Sequence, residues 1–236
     1  MKKLNLIVLA FPVLLAGCTA ECVKDSGIQT SKVVELKSYD KIKVSGTIKL
    51  VLTQDSTYNV KIQADSNVMG HIRSRVSGSE LELKLEDGSY CGTDSVVVYA
   101  GIGELTELNT SGMVRVIGEG PVYVKDLKMD LSGSSDVKLN ISASKVTTKI
   151  DGVGKLTLSG QTGTHVLKTS GTSKVEAFDF VAGIYDITVD GTGKANINVL
   201  NDLKVKTSGS SEIYYKGNPK NVDEKKSGAA KLEKVN

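Results

Sequence analysis

A Ser-Gly or Asp-Gly step returns about every nineteen residues through the second half of this chain, and it limits the fold more than any other feature. Its glycines are Gly112, Gly133, Gly152, Gly171, Gly191, Gly209 and Gly228, spaced by 21, 19, 19, 20, 18 and 19 residues. Four residues after each glycine stand Val116, Val137, Leu156, Val175, Ala195, Ile213 and Leu232, all apolar. The residue before each of these is charged: Arg115, Asp136, Lys155, Lys174, Lys194, Glu212 and Lys231. Upstream, the second, fourth and sixth residues before the glycine are mostly apolar or Thr, as in Leu131, Met129 and Leu127. Alternation of period two on both sides of a fixed turn predicts strand-turn-strand units with one buried face. Units repeating in register predict an all-β, single-domain parallel β-helix, or solenoid, with rungs of about 19 residues. The usual crossover preference makes it right-handed.

Each turn explains its own residues. Glycine supplies the positive φ of a sharp corner, and the Ser or Asp before it can bond the turn backbone. Stacked turns would form a ladder of Ser132, Asp151, Ser170, Asp190 and Ser208, in which a Ser always separates the two Asp. A β-propeller fits less well, because a blade takes about forty residues and four strands. A left-handed hexapeptide helix would match the long period but lacks its six-residue sub-period here.

The N-terminal half follows the pattern loosely. Ser45-Gly46 has Ile42 and Val44 before it and Lys49-Leu50 after it, 66 residues ahead of Gly112. Ser77-Gly78, followed by Leu81, Leu83 and Leu85, reads as a weaker copy. Lys32–Leu36 and Tyr58–Ile62 are strand candidates, and 67–72 a loop or short helical turn. The resulting division is a leader over 1–17, a flexible tether over 18–31 and a solenoid over 32–236. Within the last, 32–104 are less regular rungs, 105–220 regular ones, and 221–236 a polar cap.

The leader carries Lys2 and Lys3, then an apolar run from Leu4 to Leu15 that is too short to span a bilayer. It ends in Leu15-Ala16-Gly17-Cys18, similar to the lipobox of bacterial lipoproteins, which implies cleavage before Cys18 and lipid on that residue. An ordinary secretory signal with a coincidental Cys is the alternative. The expected location is therefore the bacterial envelope, tethered to a membrane through Cys18, the outer membrane before the inner, on a side the residues leave open. Cleavage leaves 28 basic against 27 acidic side chains. A body so near neutral argues against general nucleic-acid binding. Cys22 and Cys91 remain; an exported chain tends to pair two such cysteines, and two free thiols are the alternative. Pairing would be worth about 3–4 kcal/mol on the entropic account.

Catalytic constellations are scarce. Gly154-Lys155 and Gly193-Lys194 end like a phosphate loop, but Lys149 and Thr188 stand where that loop needs its first glycine. His71 reads as a loop residue, and His165 falls in an inward column, as a packed residue does. Asp151 and Asp190, with Lys155, Lys174 and Lys194 on the neighbouring column, form a candidate binding face. It would suit an anionic glycan or a phospholipid headgroup; scattered charge on a solvated face is the plainer reading. No catalytic residue, metal site or cofactor is expected.

Lys41–Gly46 with Leu50–Gln54, then Leu81-Glu82-Leu83, Ser95–Tyr99 and the Ser-Gly rungs, resemble the head GIN domain family of auto-transporter adhesin head domains. The likeness spans roughly residues 34–217. It implies a β-helix-like fold and no known enzymatic activity, and it carries over no catalytic residue. The expected function is a non-catalytic, lipid-anchored envelope protein, adhesin-like, presenting its outer face to a glycan or an envelope protein. The alternatives are a polysaccharide lyase-like enzyme on the same scaffold, or a periplasmic structural or signalling component.

Overall fold

The computed structural model describes residues 22–92 and 95–236. Cys18 and the leader lie outside the described residues. Among the described residues the architecture is all-β with one short helix. In order, the elements are β1 Val23–Lys24, β2 Gln29–Glu35, β3 Lys41–Gln54, β4 Asn59–Asp65 and α1 Ser66–Met69. There follow β5 Ile72–Ser77, β6 Glu80–Leu85, β7 Tyr90–Cys91, β8 Val96–Ile102, β9 Glu107–Lys216, β10 Asn221–Lys226 and β11 Ala229–Lys234.

The element β9 is extended over 110 residues. A straight strand of that length would reach about 360 Å, so β9 must fold back on itself repeatedly. It does so at the recurring glycines. The Cβ that an alanine would place at Gly133 falls 2.5 Å from the carbonyl oxygen of Gly112, and Gly152, Gly171, Gly191, Gly209 and Gly228 each meet the preceding glycine in the same way. Gly112 in turn pairs in register with Gly46 of β3. Eight glycines thus stand in file across about 34 Å of stacked strands. At Gly152 φ is +112°, a conformation that L side chains rarely adopt, so geometry and space both demand glycine there.

Fixing the glycines fixes every flanking column. Val116, Val137, Leu156, Val175, Ala195 and Ile213 are all buried in one continuous core, as are Leu131 and Ile150 on the near side of the turn. The corner shows how the columns share space. The Cβ of an alanine at Gly154 would lie 2.3 Å from Ile150 Cγ2, and at Gly193 it would lie 3.2 Å from Val189 Cγ1. Where the fourth residue back is the smaller Thr169 or Thr207, the equivalent position holds Ser173 or Ser211. At these four turns a β-branched aliphatic residue before the glycine goes with glycine after it, and threonine with serine; Leu131 with Ser135 and Thr110 with Val114 combine differently.

On the outside of the turns, Ser170 Oγ donates to Asp151 Oδ1 at 2.8 Å, and Ser208 Oγ donates to Asp190 Oδ1. The Asp-Ser alternation is thus a donor-acceptor pairing between adjacent repeats, and two stacked carboxylates would lack the donor.

The N-terminal half departs from an all-parallel expectation. β3 lies parallel to β9 along 41–53, and its two halves are covered by β6 and β8, also parallel. Beyond these, β5 runs antiparallel to β6, β4 to β8 and β2 to β4. The sheet is therefore mixed. Ser77-Gly78 is not a copy of the repeat: Ser77 pairs with Glu80 across a tight antiparallel hairpin, and nothing lies within 4 Å of a Cβ built on Gly78. The short α1 occupies part of the segment 67–72.

Residues 22–31, expected as part of a flexible tether, are docked. Val23 and Lys24 pair with Tyr90 and Cys91, and a disulfide joins Cys22 to Cys91 with Cα atoms 5.5 Å apart. Asp65 accepts from the backbone N–H groups of Ser26, Gly27 and Asn67, which binds this segment to the start of α1.

The other end is closed by charge. β10 and β11 continue the parallel register, with Glu224 over Val205, Lys226 over Thr207 and Leu232 over Ile213. Glu224 and Lys226 pair at 2.6 Å, and their aliphatic stems cover the last apolar layer while their charges meet water. An end of this kind discourages another chain from adding to the stack.

The glycine file can be tested at two positions. Gly152→Ala should destabilise by about 2–4 kcal/mol in denaturant unfolding, combining positive-φ strain with the contact on Gly133. Gly120 also has positive φ (+86°) but nothing within 4 Å, so Gly120→Ala should cost about 1–2 kcal/mol, the strain alone. Equal costs would mean that backbone contact between repeats contributes nothing.

Candidate functional site

Period-two alternation after each glycine turns the first and third residues outward. The first-residue column holds Thr47, Met113, Ser134, Val153 and Thr172; the third holds Lys49, Arg115, Asp136, Lys155, Lys174 and Lys194. Both belong to one outer face. The structure places Lys155 and Lys174 together on a groove of about 600 Å³ that Lys49 and Arg115 also line. Lys194 lies one repeat further on and is not part of it.

The two candidate carboxylates belong elsewhere. Asp151 lines a separate depression of about 320 Å³ beside Lys149 and Asp130. Asp190 borders neither and is held by Ser208. Their role is to accept from the turn serines, and the expected face of five residues resolves into two lysines on a groove plus three residues apart from it.

Charge around the groove is unevenly balanced. Arg115 Nε donates to Asp136 at 3.2 Å, and Lys174 Nζ pairs with Glu176 at 2.9 Å. The Lys174 ammonium, hydrogen-bonded to Glu176, holds that carboxyl below its usual range. Lys194 lies 3.7 Å from Glu212 and over the Tyr214 ring at 4.9 Å. Lys49 and Lys155 make no ion pair among the described residues.

Two groove residues escaped the sequence reading: Met113 and Val153, both more than half exposed. The signal was present, since they are the apolar members of an otherwise polar outward column. Ser135 escaped for a different reason. It lies in an inward column, is 5% exposed, and its Oγ has no hydrogen-bond partner among the described residues.

His165 is fully buried. Its Nδ1 lies 2.7 Å from the Tyr185 hydroxyl, its Nε2 lies 3.0 Å from Thr148 Oγ1, and its ring meets Phe180 edge-on. A neutral imidazole has one donor and one acceptor nitrogen, which both hydroxyls can match. Burial pushes the ring's pKa down to about 3 and raises that of Tyr185. His165 is thus a polar link between three stacked repeats with no route to solvent. His71 sits at the surface near Glu86, with Tyr90 against its ring. Among the described residues, no three His, Cys, Asp or Glu side chains gather as metal ligands.

The fold and its outer face define a class, an all-β scaffold that displays side chains in straight files. The chain belongs to the family described as "Putative auto-transporter adhesin, head GIN domain", matched over residues 38–219. Several solved structures share its fold. A putative adhesin from Bacteroides fragilis superimposes with TM-score 0.83 at 19% identity, covering 90% of this chain and 100% of its own. A putative adhesin from Parabacteroides distasonis gives 0.73 at 23%, covering 91% and 100%. A protein from the same species described as a putative lipid binding protein gives 0.72 at 19%, covering 92% and 100%. No curated protein sequence matches the chain. No described helix is long and apolar enough to cross a membrane.

The His165 link predicts a pH dependence. The folded pKa lies below the unfolded one, about 6.5, so as pH falls the unfolded state takes up the proton first. The stability is whole above pH 6.5 and is lost progressively down to about pH 3, at no more than about 1.4 kcal/mol per pH unit from this group. His165→Gln should be less stable at pH 7 yet show a shallower decline between pH 6 and 4, read from urea unfolding at each pH. Parallel declines would show that His165 does not titrate with unfolding.

Proposed function

We propose that this protein is a non-catalytic, adhesin-like binding protein of the bacterial envelope, built as a parallel β-helix of about 19 residues per rung and anchored through lipidated Cys18. The observation that carries the reading is the outer face. Its side chains stand at fixed intervals on a scaffold whose backbone is held at each stacked glycine, so a ligand meets columns already in place and no backbone has to be ordered on binding. Family membership supports the envelope location, and the lipobox-like Leu15–Cys18 supports the anchor. The disulfide at Cys22 supports an anchor whose lever is short. Only three residues separate it from Cys18, four steps of about 14 Å in all when fully extended, so the antiparallel end would face the membrane and the charged end would point away.

Two measurements test this. Cells expressing the full chain and fed an alkyne-palmitate should label it, and Cys18→Ala should abolish the label and release the protein from the membrane fraction; label retained by that variant rejects the anchor. The body, residues 22–236, displayed on a glycan array should give saturable binding that falls at least tenfold when Lys155 and Lys174 are both replaced by Glu. Silence across neutral and anionic glycans, together with no binding to intact cells, rejects the adhesin-like role.

A further inference from the structure

The groove of about 600 Å³ pairs an apolar strip with unopposed positive charge. Met113 is 63% exposed and Val153 59%. They hold the same position, one residue after Gly112 and Gly152, so they stand two repeats apart, about 10 Å, with Ser134 between them. Single exposed apolar residues are ordinary on a protein surface. These two lie in file within one concavity, and both line it.

Beside the strip runs the cationic column. Asp136 occupies Arg115 and Glu176 occupies Lys174, whereas Lys155, in the same repeat as Val153, has no ion-pair partner among the described residues. Lys49 is in the same condition beside Met113's repeat. Ser135, at the groove wall beside Gly154, turns inward, and its buried hydroxyl has no partner among the described residues. A bare apolar strip gains nothing from sugar hydroxyls, and free ammonium groups gain nothing from a neutral chain. Only a ligand with both parts answers the whole groove.

We propose that this groove binds a single-chain anionic amphiphile. Its acyl chain lies along Met113 and Val153, and its carboxylate or phosphate head sits at Lys155, the ammonium that no described carboxylate holds, with the paired Lys174 beside it. The assignment rests on the binding-protein reading above and deepens it by naming a ligand chemistry. Charge complementarity selects the anion, and the file of apolar contacts selects a chain running along the stack.

The test is calorimetric titration of residues 22–236, which contain the disulfide and the entire described core, with dodecyl phosphate, laurate, dodecyl maltoside and inorganic phosphate below micellar concentrations. Dodecyl phosphate and laurate should bind, with dodecyl maltoside and inorganic phosphate at least tenfold weaker. Met113→Ser with Val153→Ser should lower the affinity at least tenfold, and so should Lys155→Glu with Lys174→Glu. Lys194→Glu, one repeat outside the groove, should leave it within twofold. All of these positions are exposed, and an unchanged Tm verifies that each variant is folded. Sedimentation with phosphatidylglycerol vesicles separates two sources of the head group. Binding that the same variants reduce assigns a membrane lipid, and binding of the soluble amphiphiles alone assigns a free fatty acid or phosphate ester. Equal affinity for dodecyl maltoside, no binding of either anion, or affinity unchanged in the groove variants overturns the proposal. If that happens while the glycan array still gives signal, the groove assignment falls alone; silence in both removes the binding role as well.

Discussion

Backbone contact between successive glycines is the constraint on which everything else depends. A carbonyl oxygen of one repeat lies 2.4–2.7 Å from where a Cβ would stand in the next, for Gly112 through Gly228. No other residue fits that approach, so the turn cannot drift along the chain by even one position. Strand register is normally held by side-chain burial, and a slip of one residue turns every core residue outward. Here the turn holds the register and the core follows, and variable residues such as Ala195 and Leu156 can occupy one column without loss of alignment.

The same constraint explains which parts of the fold were legible in the sequence. The inward column from Val116 to Ile213 could be read directly, because its distance from the glycine never changes. Ser77-Gly78 could not be told from a true copy, because what distinguishes them lies outside the local sequence. A stacked glycine faces another backbone, whereas Gly78 faces open space in a two-residue hairpin. Strand direction was equally hidden: alternation along Asn59–Asp65 is the same whether its neighbours run with it or against it, and both β2 and β8 run against it. The docking of residues 22–31 depends on Asp65, nearly forty residues away, as acceptor of three backbone N–H groups. Nothing in that polar segment itself reports such a partner.

The candidate site was legible only by half. Its charged members showed as a column because the repeat puts a charge three residues after each glycine. Asp151 and Asp190 looked like their partners on sequence spacing alone, but they belong to the turn, where Ser170 and Ser208 donate to them. A carboxylate so engaged keeps its turn in shape and draws adjacent repeats together. Met113 and Val153 were hidden by being isolated in sequence; only the stacking of Gly112 and Gly152 in one file makes them near neighbours.

The distribution of charge on the outer face also bears on what that face is for. Stacked lysines about 5 Å apart repel by about 0.8 kcal/mol per pair even at the dielectric constant of water. In one region the chain relieves this by placing Asp136 between Arg115 and Lys155, and in another by ending the run at Glu212. Between them Lys155, Lys174 and Lys194 follow one another unbroken. Glu176 and Glu212 each neutralise a member of that run, at 2.9 and 3.7 Å, and both relieve its far side. The positive charge left over is therefore at Lys155, beside Val153. Lys155 is thus the member of the run whose charge no described carboxylate holds. An anion settling there would meet an ammonium that no internal pair has to release, and it would do so beside the exposed Val153.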